Sequence, residues 1–270
     1  MKQKNLFIIM GIIASMAFTS CISNDLGIET GGSLSIDLNP QSDFVQTRAL
    51  SESAYRNTSN YRVKVVNTSN NNTVVDCLAS ELSNNLPKQL PIGTYEVSAV
   101  YGNEHAASRD EFLMTGSSIV TIKGNETTTA TVNCKPTCGK VSVEFASDMA
   151  TYFSDYNVVF KGTSLLNGST CAWSKTDTEP WYVGLNSEGE TINYTITLTA
   201  NEDFVFDNNS ADHGTHTVTG SFSLSRNCAH KLKVKASYNP SSEGGMGITI
   251  TVDESTNDTP VDINIPISWI

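Results

Sequence analysis

The stretch SIVTIKGNETTTATVNC, Ser118–Cys134, has the pattern that determines the fold class of this chain. Apolar residues alternate with polar ones before and after Gly124-Asn125, a dipeptide that is typical of tight turns. Because successive side chains of a strand point to opposite faces, the alternation predicts two strands that each bury one face. The stretch therefore predicts a β-hairpin whose other face is solvated.

The same alternation recurs along the chain in runs that are separated by Gly, Asn, Asp and Ser. These runs are Gly32–Leu38, Tyr61–Val66, Thr94–Gly102, Gly139–Phe145, Tyr156–Phe160, Asn193–Ala200, Thr217–Leu224, His230–Ser237 and Gly247–Asp253. Helices are expected only at Ala79–Asn84 and Asp148–Tyr156, whereas a parallel α/β enzyme needs a helix between successive strands. The sequence predicts an all-β protein of two consecutive antiparallel β-sandwich domains.

A single boundary divides the predicted strands into halves of similar size. Pro136 and Gly139 interrupt the strand pattern, and a new alternating run begins directly after them. We therefore expect a signal peptide at residues 1–20, an N-terminal sandwich at 21–136 and a C-terminal sandwich at 137–270.

Residues 1–20 have the organisation of an export signal. Lys2 and Lys4 precede the apolar segment Leu6–Phe18, which is too short to span a bilayer. A small residue, Ser20, stands directly before Cys21, as in the bacterial lipobox. We predict lipidation of Cys21 and a location at the outer membrane or cell surface, held by this anchor. The alternative is an ordinary secretory signal with a chance cysteine.

Charge and cysteine content limit the partners and the covalent links. A formal net charge of −11 repels phosphate backbones, so nucleic acid is not an expected partner. Removing Cys21 from the six cysteines leaves five, and an odd number cannot all form disulfides. At least one cysteine is therefore expected to be a buried thiol.

The sequence contains no motif of a known catalytic or phosphate-binding type, and we predict no enzyme, no cofactor and no metal site. Asp212–His216 has the residue types of a zinc site, and Asn201–Asp212 offers oxygen ligands for calcium. Neither segment has the second motif or the loop order that would complete a site. Cys134 and Cys138 likewise lack a second cysteine pair for zinc.

Three aromatic residues, Trp173, Trp181 and Tyr182, flank a polar loop. Exposed rings at such a loop could stack on sugars, so these residues are candidate glycan contacts. The alternative is that they close the end of a sandwich core.

The chain ends on VDINIPISWI, in which Val261, Ile263, Ile265, Ile267 and Trp269 alternate with polar residues or proline. Burial of five such side chains would contribute roughly 7–15 kcal/mol, so their common face must be covered. The strand either packs in its own C-terminal sandwich or acts as a donor strand for another molecule. For the isolated chain we predict the first arrangement.

The order of several segments carries a family resemblance. LPIGTYEVSAVYG, Leu90–Gly102, resembles the strand–turn–strand of transthyretin-like domains. The other segments are GGSLSIDL, QTRAL, TTTATVNC, KVSVEF, YFSDYNVVF and ITVDE. In this order the chain resembles a family of Bacteroidetes lipoproteins with a domain of unknown function and, more distantly, the fimbrillin-like proteins of type V pili. The resemblance implies a transthyretin-like first sandwich.

The fimbrillin resemblance also implies a mode of assembly. In that superfamily an arginine-specific protease cuts in the loop after the first strand, and the terminal strand of another subunit fills the resulting groove. Arg48 stands at the matching position here. The implied function is that of a structural or adhesive surface lipoprotein, with pilus-like subunits or host ligands as partners. The alternative is a monomeric binding module for glycan or host protein, with Arg48 an ordinary loop residue.

Overall fold

The computed structural model describes residues 31–44, 52–82, 85–162, 171–177, 179–201, 214–238, 246–254 and 259–265. In this part of the chain the strands are β1 Gly32–Pro40, β2 Arg62–Asn67, β3 Thr73–Leu78, β4 Lys88–Leu90, β5 Gly93–Tyr101, β6 Ala107–Ser108, β7 Met114–Ile122, β8 Thr127–Pro136, β9 Cys138–Phe145, β10 Phe153–Lys161, β11 Cys171–Ser174, β12 Trp181–Gly184, β13 Gly189–Ala200, β14 Thr215–Ser225, β15 Ala229–Tyr238, β16 Met246–Glu254 and β17 Thr259–Ile265. The helices are α1 Ala79–Leu82 and α2 Met149–Tyr152, with short 3₁₀ turns at Glu52–Arg56 and Thr58–Asn60.

The N-terminal strands form one sheet in the order β3-β2-β5-β7-β8-β1-β4. β7 and β8 are paired at only two positions, Met114 with Pro136 and Thr115 with Lys135, and beyond them the sheet opens into two layers. Alternate side chains of both layers meet in one core, which includes Leu34, Val63 and Val132. The alternation in the sequence thus places every second residue inside, as a sandwich requires.

The C-terminal strands form two sheets, in the orders β11-β10-β13-β14 and β17-β16-β15-β9-β12-β6. Their facing sides enclose a second core, to which Val143 and Val234 contribute from one sheet and Phe160 and Ile196 from the other. The chain is therefore an all-β protein with sandwich-like packing, as the sequence predicts. β8 ends at Pro136 and β9 begins at Cys138, and the division of the chain into two domains at this point stays a prediction.

The expectation of purely antiparallel sheets is wrong for two strand pairs. β1 runs parallel to β8 over eight positions, and β15 runs parallel to β9 over six. Both pairs join strands that are far apart in sequence, which parallel pairing requires because a short turn cannot connect parallel neighbours. Alternation of side chains is the same in both orientations, so the sequence pattern does not distinguish them.

Each run that the alternation identified corresponds to a strand of the structure. The strands that were not predicted are β3, β4, β6, β11 and β12, of which most are too short to display a period. The helix expected at Asp148–Tyr156 is limited to Met149–Tyr152, because β10 begins at Phe153. None of the helices in the described ranges has the length and apolar content needed to cross a membrane.

A close approach between β7 and β8 leaves no room for a side chain at Gly116. A Cβ atom on Gly116 would overlap the backbone oxygen of Asn133 and lie 2.7 Å from its carbonyl carbon. Because a backbone atom cannot turn aside as a side chain can, we predict that Gly116→Ala lowers the free energy of unfolding by about 1–3 kcal/mol. Denaturant unfolding measures the change. Ser117→Ala, at the next and exposed position, is the control and should change it by less than about 0.5 kcal/mol.

Candidate functional site

A buried ion pair lies where the two sandwiches meet. The Lys140 ammonium at the start of β9 donates to Glu52 Oε1 at 2.7 Å, and the two side chains are 5% and 6% exposed. Tyr182 Oη, from β12, donates to the same oxygen at 2.6 Å. Glu52 precedes β2 in the N-terminal half, so this contact joins both halves of the chain. Removing one partner would leave the other as an uncompensated buried charge.

Aromatic rings lie beside this ion pair and form a series of packed side chains across the junction. The Tyr55 ring stacks on Phe112 with 3.9 Å between centroids and 9° between planes. Phe112 in turn stacks on Tyr182 at 4.7 Å, and Phe44 meets Phe112 edge-on at 5.5 Å. Burial raises the pKa of Tyr55, whose hydroxyl accepts a hydrogen bond from the Phe112 backbone N–H. The stack excludes water from the charged groups and fixes their geometry.

The loop between β5 and β7 attaches the N-terminal half to the C-terminal sandwich. Its short strand β6 pairs with β12, which extends the C-terminal sheet with residues of the N-terminal half. The next residue, Arg109, forms a bidentate contact with Asp177 at 3.2 and 2.6 Å and also donates to the Ala172 carbonyl. The Arg109 guanidinium lies 4.5 Å from the centre of the Trp181 ring. Through these contacts the loop fixes the N-terminal half to the C-terminal sandwich.

The segment after β1 provides another link between the halves. Asn227, which has a positive φ of 57°, accepts from the Asp43 backbone N–H at 3.0 Å and donates to Asp43 Oδ2 at 2.7 Å. The backbone N–H of Asn227 donates to the Cys138 carbonyl. Together with the buried Phe44 ring, these bonds hold the chain segment that follows β1 against the C-terminal sandwich.

The candidate glycan contacts do not form an exposed platform. This prediction is wrong for Trp173 and Tyr182, which are each only 1% exposed. Trp173 donates its indole N–H to the Glu179 carbonyl at 2.7 Å, so its polar edge is satisfied within the protein. Trp181 is half-buried, and Arg109 covers one face of its ring. The three aromatics pack and position the loop, the alternative that the sequence left open.

The terminal strand is paired within its own chain. The backbone of β17 lies antiparallel to β16 over seven positions, from Val252 with Thr259 to Met246 with Ile265. β17 is the last strand of its sheet, so among the described strands β16 is its sole neighbour. Val261, Ile263 and Ile265 belong to this strand by position. Ile267 and Trp269 lie outside the described residues.

The first strand is also held mainly along one edge. β1 pairs with β8 over its length, but on its other side β4 covers only Gly32, Ser33 and Leu34. Cys21 and Arg48, which the sequence identified as lipidation and processing positions, lie outside the described residues. So do all but Asn201 of the segment Asn201–Asp212, which offered calcium ligands, and Asp212 and His213 of the zinc-like segment Asp212–His216.

Three cysteines, Cys134, Cys138 and Cys171, are buried free thiols, so Cys134 and Cys138 form no disulfide in this structure. Burial raises the pKa of Cys134 to about 11 and that of Cys171 to about 12. They are therefore protonated at neutral pH and behave as small apolar side chains. Among the described residues, no group of three or more His, Cys, Asp and Glu side chains is arranged to hold a metal ion.

Sequence comparison assigns most of the chain to one family. Residues 31–267 match a family model described as "Domain of unknown function (DUF4493)". No protein with a curated description matches the sequence.

Several solved structures are similar in fold at low sequence identity. A fimbrial assembly protein from Parabacteroides distasonis is 13% identical, with a TM-score of 0.46 and coverage of 86% of this chain and 98% of the other. A candidate cell adhesion protein from Bacteroides eggerthii is 11% identical, with a TM-score of 0.46 and coverage of 83% and 96%. The fimbrial anchor protein Mfa2 from Porphyromonas gingivalis is 11% identical, with a TM-score of 0.33 and coverage of 83% and 97%.

The buried ion pair yields a stability prediction. Lys140→Met should lower the free energy of unfolding by about 3–5 kcal/mol, because Glu52 would remain charged and buried. The matched control is Lys231→Met, which removes the exposed pair of Lys231 with Glu144 at 3.0 Å and should cost less than about 1 kcal/mol. Urea denaturation, followed by intrinsic fluorescence, measures both.

A second variant tests the cause of that loss. The double variant that combines Lys140→Met with Glu52→Leu replaces both partners. It should be more stable than Lys140→Met alone, because no lone charge stays buried. Equal effects of Lys140→Met and Lys231→Met would contradict the importance of burial.

Proposed function

The chain belongs to the DUF4493 family, and we propose that it is a lipid-anchored cell-surface protein with a structural or adhesive role of the fimbrillin-like kind. The P. distasonis protein is a fimbrial assembly protein and the P. gingivalis protein a fimbrial anchor protein, and the proposal extends a fimbrial role to this chain. Its partners would be the membrane, through Cys21, and other pilus-like subunits or host surface ligands.

The position of β17 is the observation that carries the assembly part of the proposal. A strand that pairs with one neighbour can leave its sheet by breaking one ladder, here the seven positions shared with β16. An edge strand also presents backbone groups that another chain can pair with. The C-terminal strand is therefore well placed to act as a donor, provided that another molecule offers it a groove.

The strand β1 marks where such a groove would form. Its apolar residues and those of the terminal strand have the same spacing of two, Leu34, Ile36 and Leu38 in one and Val261, Ile263 and Ile265 in the other. Leu34 is fully buried, so loss of β1 would leave a gap in the N-terminal core and an open edge on β8. Cleavage after Arg48 would separate β1 from the rest of the chain. A terminal strand from a second molecule would then fit beside β8.

An alternative function is that of a monomeric surface module that binds a glycan or a host protein. It is favoured by an open cleft beside Tyr101, at the end of β5. The two functions differ in whether the terminal strand ever leaves its own sheet.

Limited proteolysis of the folded mature chain tests the strand-exchange proposal. An arginine-specific protease should cut after Arg48, and the product should form oligomers on size-exclusion chromatography with light scattering. Arg48→Lys keeps the charge but resists the enzyme, and should stay monomeric. Ile263→Asp should be cut but fail to oligomerise, because a carboxylate on the apolar face opposes burial.

The control for that substitution is Asn264→Asp, which adds the same charge at a polar position of the same strand and should leave oligomer formation intact. The proposal of strand exchange fails if the cut chain stays monomeric, or if Ile263→Asp and Asn264→Asp behave alike.

The anchor is tested separately in cells. Labelled palmitate should enter the protein and be lost in Cys21→Ser, whereas Cys228→Ser should retain the label. Mass spectrometry of the N-terminal peptide then reports the processing state. A lipidated start at Cys21 supports the anchor, a start at Ala49 supports processing, and an unlabelled wild-type chain overturns the lipoprotein assignment.

A further inference from the structure

The cleft beside Tyr101 has two aromatic rings on its inner side. Tyr55 and Tyr101 line it, with their ring centroids 4.9 Å apart and their planes inclined at 60°. Tyr55 is fixed by its stacking on Phe112 and by the hydrogen bond that its hydroxyl accepts. Tyr101 is half-buried, so it is anchored in the core and still reaches the cleft. Tyr55 is only 5% exposed, so it supports Tyr101 from behind, and the half-buried Tyr101 ring is the aromatic surface that the cleft presents.

Acidic groups form the rim of the same cleft. Glu111 accepts from Asn103 Nδ2 at 2.9 Å and lies 2.6 Å from His105 Nε2, and these hydrogen bonds keep the pKa of the Glu111 carboxyl below its usual value. Asp110 is exposed beside it. The Ser108 hydroxyl accepts from the backbone N–H groups of both acidic residues, at 3.1 and 3.2 Å, which holds this part of the loop in place.

The charges of the lining decide which ligand class fits. Among the described residues that line the cleft there is no lysine or arginine, whereas Asp110 and Glu111 are both present. An anion would therefore be repelled. A cation gains in two ways, from the carboxylates by charge-assisted hydrogen bonds and from the Tyr101 ring by cation–π attraction. The net charge of −11 also attracts cations at a distance.

We propose that this cleft binds a basic side chain, arginine or lysine, presented by a partner protein. A saccharide fits less well, because its hydroxyl groups need donors as well as acceptors. The side-chain nitrogens of Asn103 and His105 are already directed at Glu111. The acceptor-rich rim and the Tyr101 ring instead match a ligand that only donates hydrogen bonds, as guanidinium and ammonium groups do. This site is independent of strand exchange.

Two short peptides that differ only in charge test the site. Acetyl-Gly-Arg-Gly-amide is titrated into the isotope-labelled mature chain, and the amide shift of Gly102 is followed by NMR. The peptide with citrulline in place of arginine has the same shape without the charge. We expect saturable binding of the arginine peptide, binding at least about tenfold weaker for citrulline, and weakening of the arginine complex by added salt.

Two substitutions localise the effect. Asp110→Asn should lower the affinity for the arginine peptide by about tenfold, because it removes one charge from the rim without changing the side-chain shape. Glu96→Gln removes the same charge from an exposed position of β5 outside the cleft and should leave the affinity unchanged.

Each of the opposite results overturns the proposal. These are the absence of a Gly102 shift at tens of millimolar peptide, equal affinity for the arginine and citrulline peptides, and equal effects of Asp110→Asn and Glu96→Gln. A neutral monosaccharide that shifts Gly102 more strongly than the arginine peptide would assign the cleft to glycan instead.

Discussion

The arrangement of the two sandwiches depends on one buried carboxylate. Glu52 accepts hydrogen bonds from Lys140 and Tyr182 on a single oxygen, at 2.7 and 2.6 Å. The cost of burying both charges is offset only while they stay in contact, so a shift of one sandwich that breaks the contact but keeps the junction closed leaves each charge buried without its partner. Three further contacts join the same two halves of the chain. They are the ring stack from Tyr55 to Tyr182, the ion pair of Arg109 with Asp177 and the hydrogen bonds between Asp43 and Asn227.

Alternation in the sequence predicted much of the fold because it records which side of each strand is buried. It located the strands β7 and β8 and the terminal strand β17, where the period is long enough to be distinct, but it did not show that β7 and β8 pair at only two positions. It could not show that β1 lies parallel to β8, since orientation leaves no trace in a period of two. The aromatic loop was misjudged for a related reason. Trp173 and Tyr182 flank a polar loop in the chain, but each is buried in a core that is built from segments distant in sequence.

The junction could not be predicted from the sequence at all. Glu52 and Lys140 are separated by 88 residues, and Glu52 and Tyr182 by 130. Lys140 stands at the start of an ordinary alternating run, where a lysine is expected to face solvent. It is buried because the first residues of β9 are covered on both sides, by the N-terminal core on one and the C-terminal core on the other. Such double burial depends on how the two cores meet, and no local pattern encodes it.

The parallel pairing of β1 and β8 has a mechanical consequence. Ser33 lies beside Thr127 and Pro40 beside Cys134, so the start of β1 and the end of β8 are at opposite ends of the ladder. The chain enters β1 from the N-terminal side, and β8 leads directly into the C-terminal sandwich. A pull between the N-terminus and that sandwich is therefore directed along the two strands and loads all of their backbone hydrogen bonds at once, in shear. Such a ladder yields only when its bonds break together, whereas a hairpin pulled at its open end, as β16 and β17 would be, unzips one pair at a time.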